Sequence, residues 1–428
     1  MNIRSVLLLA LAILVLFISS CNNQPEITEQ NVSRIISTLS SDEMQGRHAM
    51  SPEIDMAADF IAEEFSKIGL TPFDEDYKQT FTLYSIIPSE SAISINGDQV
   101  EDYKFFSITN TDSIRWSLTD VSVETINESD DFRKLLNTYR NDDQSSIITV
   151  SEAHSEWFSR YRGYYSRANR TLDIDHKPND LFVLTNDRVR SANVEIFNKI
   201  ETQPLANVVG KIPGQKEDEI LLFSAHYDHI GVVTPVEEDS VANGANDNAS
   251  GVAAVIELAR YFSKGPVPER TLYFVGFTAE ETGGFGSRYF SEQIDPDKIA
   301  AMVNIEMIGK PAVEGGNTAW ITGYDLTSFG QIFDENAPED FDFYADPYPN
   351  QNLFYRSDNA TLARLGVPAH TISTTPIDVD QDYHQVSDEF STINIEHATN
   401  TIRAIARVSE LLANGEVTPT RLPAESIN

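Results

Sequence analysis

Apolar residues recur at two different periods along this chain, and the change from one to the other divides it. Between Asn31 and Leu70 the spacing is helical: Val32, Ile35, Ile36 and Leu39, then Ala57, Ala58, Ile61, Ala62, Phe65 and Ile68. Two helices are predicted, separated by the irregular segment SDEMQGRHAM, with Gly69 stopping the second and Pro72 just beyond. From Phe81 to Thr202 the pattern shortens to strand-like runs, Ser91 to Ile95, Ile147 to Val150 and Leu181 to Thr185, set among acidic turns. Residues 81–202 therefore read as an inserted β-rich or α+β domain. Within it, WFSRYRGYYSRANR (Trp157 to Arg170) interleaves aromatics with four arginines and is expected to form a packed surface hairpin or part of a substrate rim.

From Ala206 onward strand and helix alternate. Asn207 to Ile212, Ile220 to Ser224, Thr271 to Phe277, Ala301 to Ile305, Thr318 to Thr322 and Ala369 to Ile372 are short β-like runs. Between them lie amphipathic helices, notably Ser250 to Phe262. This alternation predicts an α/β fold in which a mostly parallel sheet is sandwiched by helices. Residues 31–80 supply its N-terminal helical part, 203–415 the catalytic domain, and 416–428 a tail. Open sheets of this kind bind ligands beyond the carboxyl ends of their strands.

Composition limits the chemistry. Asp and Glu outnumber Lys and Arg by 66 to 31, a formal charge of −35, which argues against nucleic acid as a partner despite the Trp157 to Arg170 run. At the start, Arg4 precedes the apolar run Val6 to Ile18 and then Ser19-Ser20-Cys21, so residues 1–20 read as an export signal rather than a membrane span. Ile18-Ser19-Ser20-Cys21 resembles a bacterial lipobox. That resemblance implies lipidation of Cys21, a tether over 21–30, and a location in the bacterial cell envelope, periplasmic or at the cell surface. Cys21 is the only cysteine, so no intramolecular disulfide forms and no thiolate ligates metal elsewhere.

Five segments carry the candidate chemistry: LLFSAHYDH (221–229), GANDNASG (244–251), VGFTAEETGG (275–284), VNIEMIG (303–309) and DYHQVSD (382–388). His226, Glu280, Glu281 and Glu306 fall at the ends of predicted strands, with Asp228 and His384 close to such ends and Asp247 just before a helix. Singly, each has a plain structural explanation, such as a turn histidine or a helix-start aspartate. Together they form an imidazole and carboxylate set that suits zinc with open positions.

That ordered set resembles the M28 family of zinc peptidases, which includes bacterial leucyl aminopeptidases and glutamate carboxypeptidases. The resemblance covers Leu205 to about Leu411, and LSSDEMQGRHAMSPEIDMAADFIAEEFSKIGLTP is similar to the family's N-terminal helical portion. It implies two zinc ions held by His226, Asp247, Glu281, Glu306 and His384. Asp247 is expected to bridge them, while Glu281 and His384 serve opposite ions. Glu306 stands where many relatives have Asp. Asp228 is expected to orient the His226 imidazole, Glu280 to act as general base, and Tyr383 to donate to the oxyanion. In FYRSDNATLARLGVPA, Asn359 replaces a usual His beside Asp358. The implied activity is dizinc-dependent peptide hydrolysis, with removal of N-terminal residues from peptide substrates. A glutaminyl cyclase, a carboxypeptidase with Arg288 or Arg356 as a carboxylate clamp, and a non-catalytic binding protein on this fold are the alternatives.

Overall fold

The computed structural model describes residues 26–174 and 178–424. The predicted export signal and Cys21 lie outside them. Contacts divide the chain into two units, one comprising the residues up to Thr80 and those from Ala206 on, the other Phe81–Leu205. The second boundary falls just beyond the expected 202/203.

The first unit is built on one mixed sheet. Its strands run in the order Asp342–Ala345, Thr318–Ile321, Ala369–Ser373, Ile299–Ile305, Lys216–His226, Arg270–Phe277, then the 208–212 stretch of Ala192–Ile212, and Thr71–Pro72 at the edge. Ala369–Ser373, Ile299–Ile305, Lys216–His226 and Arg270–Phe277 are parallel neighbours. Antiparallel pairings appear towards both edges.

Alternation along the central strand feeds two cores. Ile220 and Leu222 join Phe277, Phe290, Met302 and Leu362 on one face. Phe223 turns to the other, stacking on Phe274 and on Phe262 of helix Ser250–Ser263. Covered faces explain why these strands read as nearly unbroken apolar runs. Helix Ser250–Ser263 is itself covered by helices Glu29–Leu39, Glu53–Ile68 and Ile395–Ala413. Gly69 ends Glu53–Ile68 in the left-handed conformation (φ 87°), as its position predicts.

Both ends of this unit are better anchored than their composition indicates. The described part of the tether is docked: Ile27 is buried and its carbonyl accepts from Arg403 Nη2 at 2.7 Å. Residues 416–424 are no loose tail either. Leu422 enters the core, and Arg270 Nη1 donates to Val417 O at 3.0 Å. Among the described residues no helix is long and apolar enough to cross a membrane.

In the second unit a four-stranded sheet runs Phe105–Ile108, Asp180–Leu184, Ser146–Val150, Ser122–Ile126, with the last three parallel. Helices Phe132–Arg140 and Ser155–Tyr165 cover one face through Phe132, Leu136, Phe158 and Tyr165. Ile147, Leu181 and Val183 on the opposite face meet Ile93, Ile114, Val194 and Ile196. The expected hairpin at Trp157 to Arg170 is instead the end of helix Ser155–Tyr165 followed by the short strand Asn169–Thr171. Phe158, Tyr161 and Tyr165 lie at i, i+3 and i+7, a helical period that the interleaved arginines obscured.

Asp180 gives this unit a pH dependence. It is buried at the head of its strand and accepts from Ser146 N at 3.2 Å, while burial, aided by Asp142, pushes its carboxyl up to about 7. A raised acid pKa means the fold prefers the protonated form. Its contribution is thus complete below the unfolded value near 4 and is lost as pH rises through about 7. Asp180→Asn keeps the acceptor for Ser146 without the charge. It is expected to slow amide exchange in Ser146–Val150 at pH 8 and to raise exchange-derived stability much less at pH 5. Equal effects at the two pH values would refute the assignment.

Candidate metal centre

Parallel neighbours place their carboxyl ends on one edge of the sheet. The register pairs His226 with Phe277 and Ser224 with Asn304, so the chain leaves the sheet close to His226, to Glu280 and Glu281, and to Glu306. Three non-glycine residues in these loops hold left-handed backbone: Ala279 (φ 57°), Met307 (φ 54°) and His384 (φ 57°). Such strain clusters where side chains must be aimed against the local preference of the chain. Gly244 (φ 58°) introduces Asp247, and a Cβ there would lie 2.3 Å from Asp247 O and 2.6 Å from the His229 ring. The Asp247–Asn248 peptide is cis.

The side chains converge on Asp247. On one side His226 Nε2 lies 3.3 Å from Asp247 Oδ1, with Glu306 completing a triad whose donor atoms all fall within 4.8 Å of one another. On the other, His229, Asp247 and Glu281 form a second such triad. There His229 Nδ1 is 3.0 Å from Glu281 Oε1, and His384 Nε2 lies 3.1 Å from Glu281 Oε1 and 3.4 Å from Asp247 Oδ2. All five expected ligands are therefore brought together. One expectation is overturned, because Glu281 and His384 share a side instead of serving opposite ones. The loops after Arg270–Phe277 and before Phe390 reach the same flank of Asp247, while His226 and Glu306 take the other. His229, the last residue of HYDH, was not singled out from sequence.

These donors fit a divalent cation. His226 Nε2, Asp247 Oδ1 and Glu306 Oε2 are buried without a hydrogen-bond partner, a costly condition that a shared cation relieves. Burial pushes Glu306 up to about 7, with His226 opposing and Asp247 reinforcing the shift. Asp247 behaves oppositely: burial works against its charge, yet contacts with His226 and His384 hold it well below the ordinary carboxylate range. Nitrogen and oxygen donors without sulfur suit zinc. The longer Glu306 side chain reaches the cluster from its strand end, so the Glu for Asp exchange keeps a donor there.

The surrounding groups hold the donors in place. Asp228 acts differently from expectation. Its backbone carbonyl, not its carboxylate, takes the hydrogen bond from His226 Nδ1 at 3.1 Å, which leaves Nε2 free to ligate. The carboxylate lies 4.0 Å from Nδ1 and instead accepts from Glu280 N (3.0 Å) and Glu281 N (3.3 Å), pinning the turn that parts those two side chains. Asp388 does the same for the bridging residue, accepting from Asn246 N at 2.8 Å and Asp247 N at 3.0 Å. Arg47, wholly buried, donates to Tyr227 O (2.8 Å), Asn243 O (2.6 Å) and Gly244 O (2.9 Å), and so joins the His226 and Asp247 loops.

Glu280, Tyr383 and Arg356 line the cleft together with Asp247, Glu281, Glu306 and His384, around a cavity of about 220 Å³. Tyr383 stacks on His384 with ring centroids 4.0 Å apart, and burial raises its hydroxyl pKa. Asn359 does not line the cleft; its amide donates to Phe354 O and Ala369 O. Asp388 was legible within DYHQVSD and Arg47 within SDEMQGRHAM, but only a known turn geometry could have given them roles.

Residues 207–409 match the sequence model of Peptidase family M28. That segment is similar to the catalytic domain of the M28 peptidases. A probable zinc metalloprotease of Pyrenophora teres f. teres is 34% identical over 117 residues, 27% of this chain and 25% of that protein. The chain thus spans about a quarter of that relative's length. The fold is similar to that of an aminopeptidase from Aneurinibacillus sp. strain AM-1 (TM-score 0.53, 19% identity, 95% of this chain and 98% of the other). It is also similar to that of BSAP, a zinc aminopeptidase from Bacillus subtilis (TM-score 0.54, 16% identity, 92% and 97%). At these identities the likeness is one of fold: a mixed sheet flanked by helices.

Proposed function

We propose that this protein is a dizinc exopeptidase that removes N-terminal residues from peptides, and that Cys21 tethers it to the cell envelope. The observation that carries the reading is the pair of donor triads sharing Asp247, with His226 Nε2, Asp247 Oδ1 and Glu306 Oε2 buried and unpartnered among them. His226, Asp247 and Glu306 would hold one ion; Asp247, Glu281 and His384 the other, with His229 beside Glu281. A single-zinc glutaminyl cyclase leaves the second triad without a purpose. When bound, zinc supplies Lewis acidity toward the scissile carbonyl and the attacking water.

The remaining work belongs to the chain. Glu280 lines the cleft but belongs to neither triad. Burial pushes its carboxyl well above the ordinary range, with His226 opposing and Glu306, Asp358 and Glu281 reinforcing the shift. A raised carboxyl pKa suits a group that takes a proton from water and returns it to the departing amine. Tyr383 lines the same cleft as Glu280, which supports a role for its hydroxyl as donor to the oxygen that gains charge, and Asp228 holds the Glu280 backbone through the cycle.

Purified protein is expected to bind close to two zinc ions per chain by atomic emission. It should release free N-terminal residues, but none from N-acetylated peptides, and lose this activity on chelation. One ion per chain at saturation would reject the dizinc centre, and cleavage of N-acetylated peptides at the C-terminus would reject the aminopeptidase. Fractionated cells should carry wild-type protein in the membrane pellet and Cys21→Ser protein in the soluble fraction; a pelleting variant would reject the lipid tether.

A further inference from the structure

The cleft is crowded with carboxylates, yet it contains one guanidinium. Arg356 lines the metal cleft and also the hollow that adjoins it, which Trp320, Leu353, Ile377 and Tyr383 help to wall. An arginine beside Glu280, Glu281 and Glu306 would ordinarily be explained as a counter-charge. The geometry argues otherwise. Among the described residues Arg356 makes no ion pair with any of these groups, and its hydrogen bond to Gln351 is a long one, 3.4 Å from Nη1 to Oε1. Its side chain is exposed, and its charge is felt at the neighbouring Tyr383 hydroxyl. Arg288, the other arginine with a possible clamping role, lines neither cavity and lies over the Phe285 ring.

A guanidinium fork held by one long hydrogen bond, at the junction of a reaction cleft and a partly apolar hollow, has one natural complement. It matches a carboxylate held by two parallel hydrogen bonds, and it does so in a way no lysine or amide can. We infer that Arg356 anchors a substrate carboxylate lying within one residue of the scissile bond. The substrates are then acidic peptides, with the carboxylate supplied either by the side chain of an N-terminal Glu or Asp or by the free α-carboxylate of a dipeptide. The inference rests on the peptidase reading and adds its substrate class. Arg356 is the one arginine or lysine among the side chains lining the two cavities, so the dependence on it should be sharp.

The test compares matched substrates on one preparation of zinc-loaded protein. N-terminal Glu peptides are set against their Gln counterparts, both amidated at the C-terminus, and neutral dipeptides with a free C-terminus are set against their amides. Wild-type kcat/KM should favour the acid about 10-fold or more in one of the pairs, the lower end for a charge-assisted contact at an exposed site. That ratio should fall to about 1 in Arg356→Gln. The first pair responding identifies the acidic side chain; the second identifies the α-carboxylate. Ratios near 1 in wild type, or a preference that survives in Arg356→Gln, overturn the inference while leaving the peptidase reading intact. Equilibrium binding of the same peptides separates the converse case. Acid-selective, Arg356-dependent binding without hydrolysis would uphold the anchor and reject the peptidase.

Discussion

Glu280→Gln is expected to lower kcat by roughly 10²-fold or more, about 2.7 kcal/mol of transition-state stabilisation, while zinc content stays at the wild-type level. The separation follows from the geometry. Glu280 belongs to neither donor triad, so the amide removes proton acceptance without removing a ligand. Its backbone N–H still reaches Asp228 Oδ1 at 3.0 Å, so the turn that also presents Glu281 keeps its shape. KM should change little, because the missing interaction matters as the proton moves. Zinc stoichiometry and steady-state kinetics on one preparation decide the matter. A variant that is inactive because it lacks zinc would make Glu280 a support of the metal centre, and an active one would assign the proton to another group.

The fold was legible where its physics is local or periodic. Strands with both faces covered are written as continuous apolar runs, and Ile220 to Ser224, Thr271 to Phe277 and Ala301 to Ile305 all lie within observed strands. The edge strand Asp342–Ala345 was not foreseen, because it pairs on one side only and its sequence, DFYA, carries little pattern. Helix Ser155–Tyr165 was misread because Arg160 and Arg162, interleaved with its aromatics, masked three of them at helical spacing. In the site, imidazoles and carboxylates near strand ends pointed to a metal, and the resemblance to the M28 family supplied the five donors. Which donors share a side depends on loop paths, and there the expected separation of Glu281 from His384 failed. Asp228 shows the same limit at finer scale: HxD proximity suggested a carboxylate on imidazole, whereas the backbone carbonyl takes that bond and frees the carboxylate for two N–H groups.

Replacing Arg47 is expected to impair metal binding although the side chain touches no ligand atom. Its guanidinium is wholly buried and satisfies backbone carbonyls at Tyr227, Asn243 and Gly244, with a further bond to Leu39 O. The first three carbonyls belong to the two loops that deliver His226 and Asp247. Burial lowers the Arg47 pKa to about 10, opposed by Asp388, Asp247, Asp228 and Glu281, so it remains charged at neutral pH and offsets part of the acidic cluster. In Arg47→Met the carbonyls lose their donors at roughly 1–3 kcal/mol each, and the acidic cluster loses a compensating positive charge. The loops should then part, and zinc affinity measured by chelator competition should fall by about 100-fold or more, with faster amide exchange across residues 226–229 and 243–247. Arg47→Lys keeps the charge but not the planar fork, so it should recover only part of the affinity. If instead both variants melt at lower temperature yet bind zinc as tightly as wild type, Arg47 supports the fold and not the metal loops. Full rescue by Lys would mean that charge alone, and not the joining of the two loops, is what the centre requires.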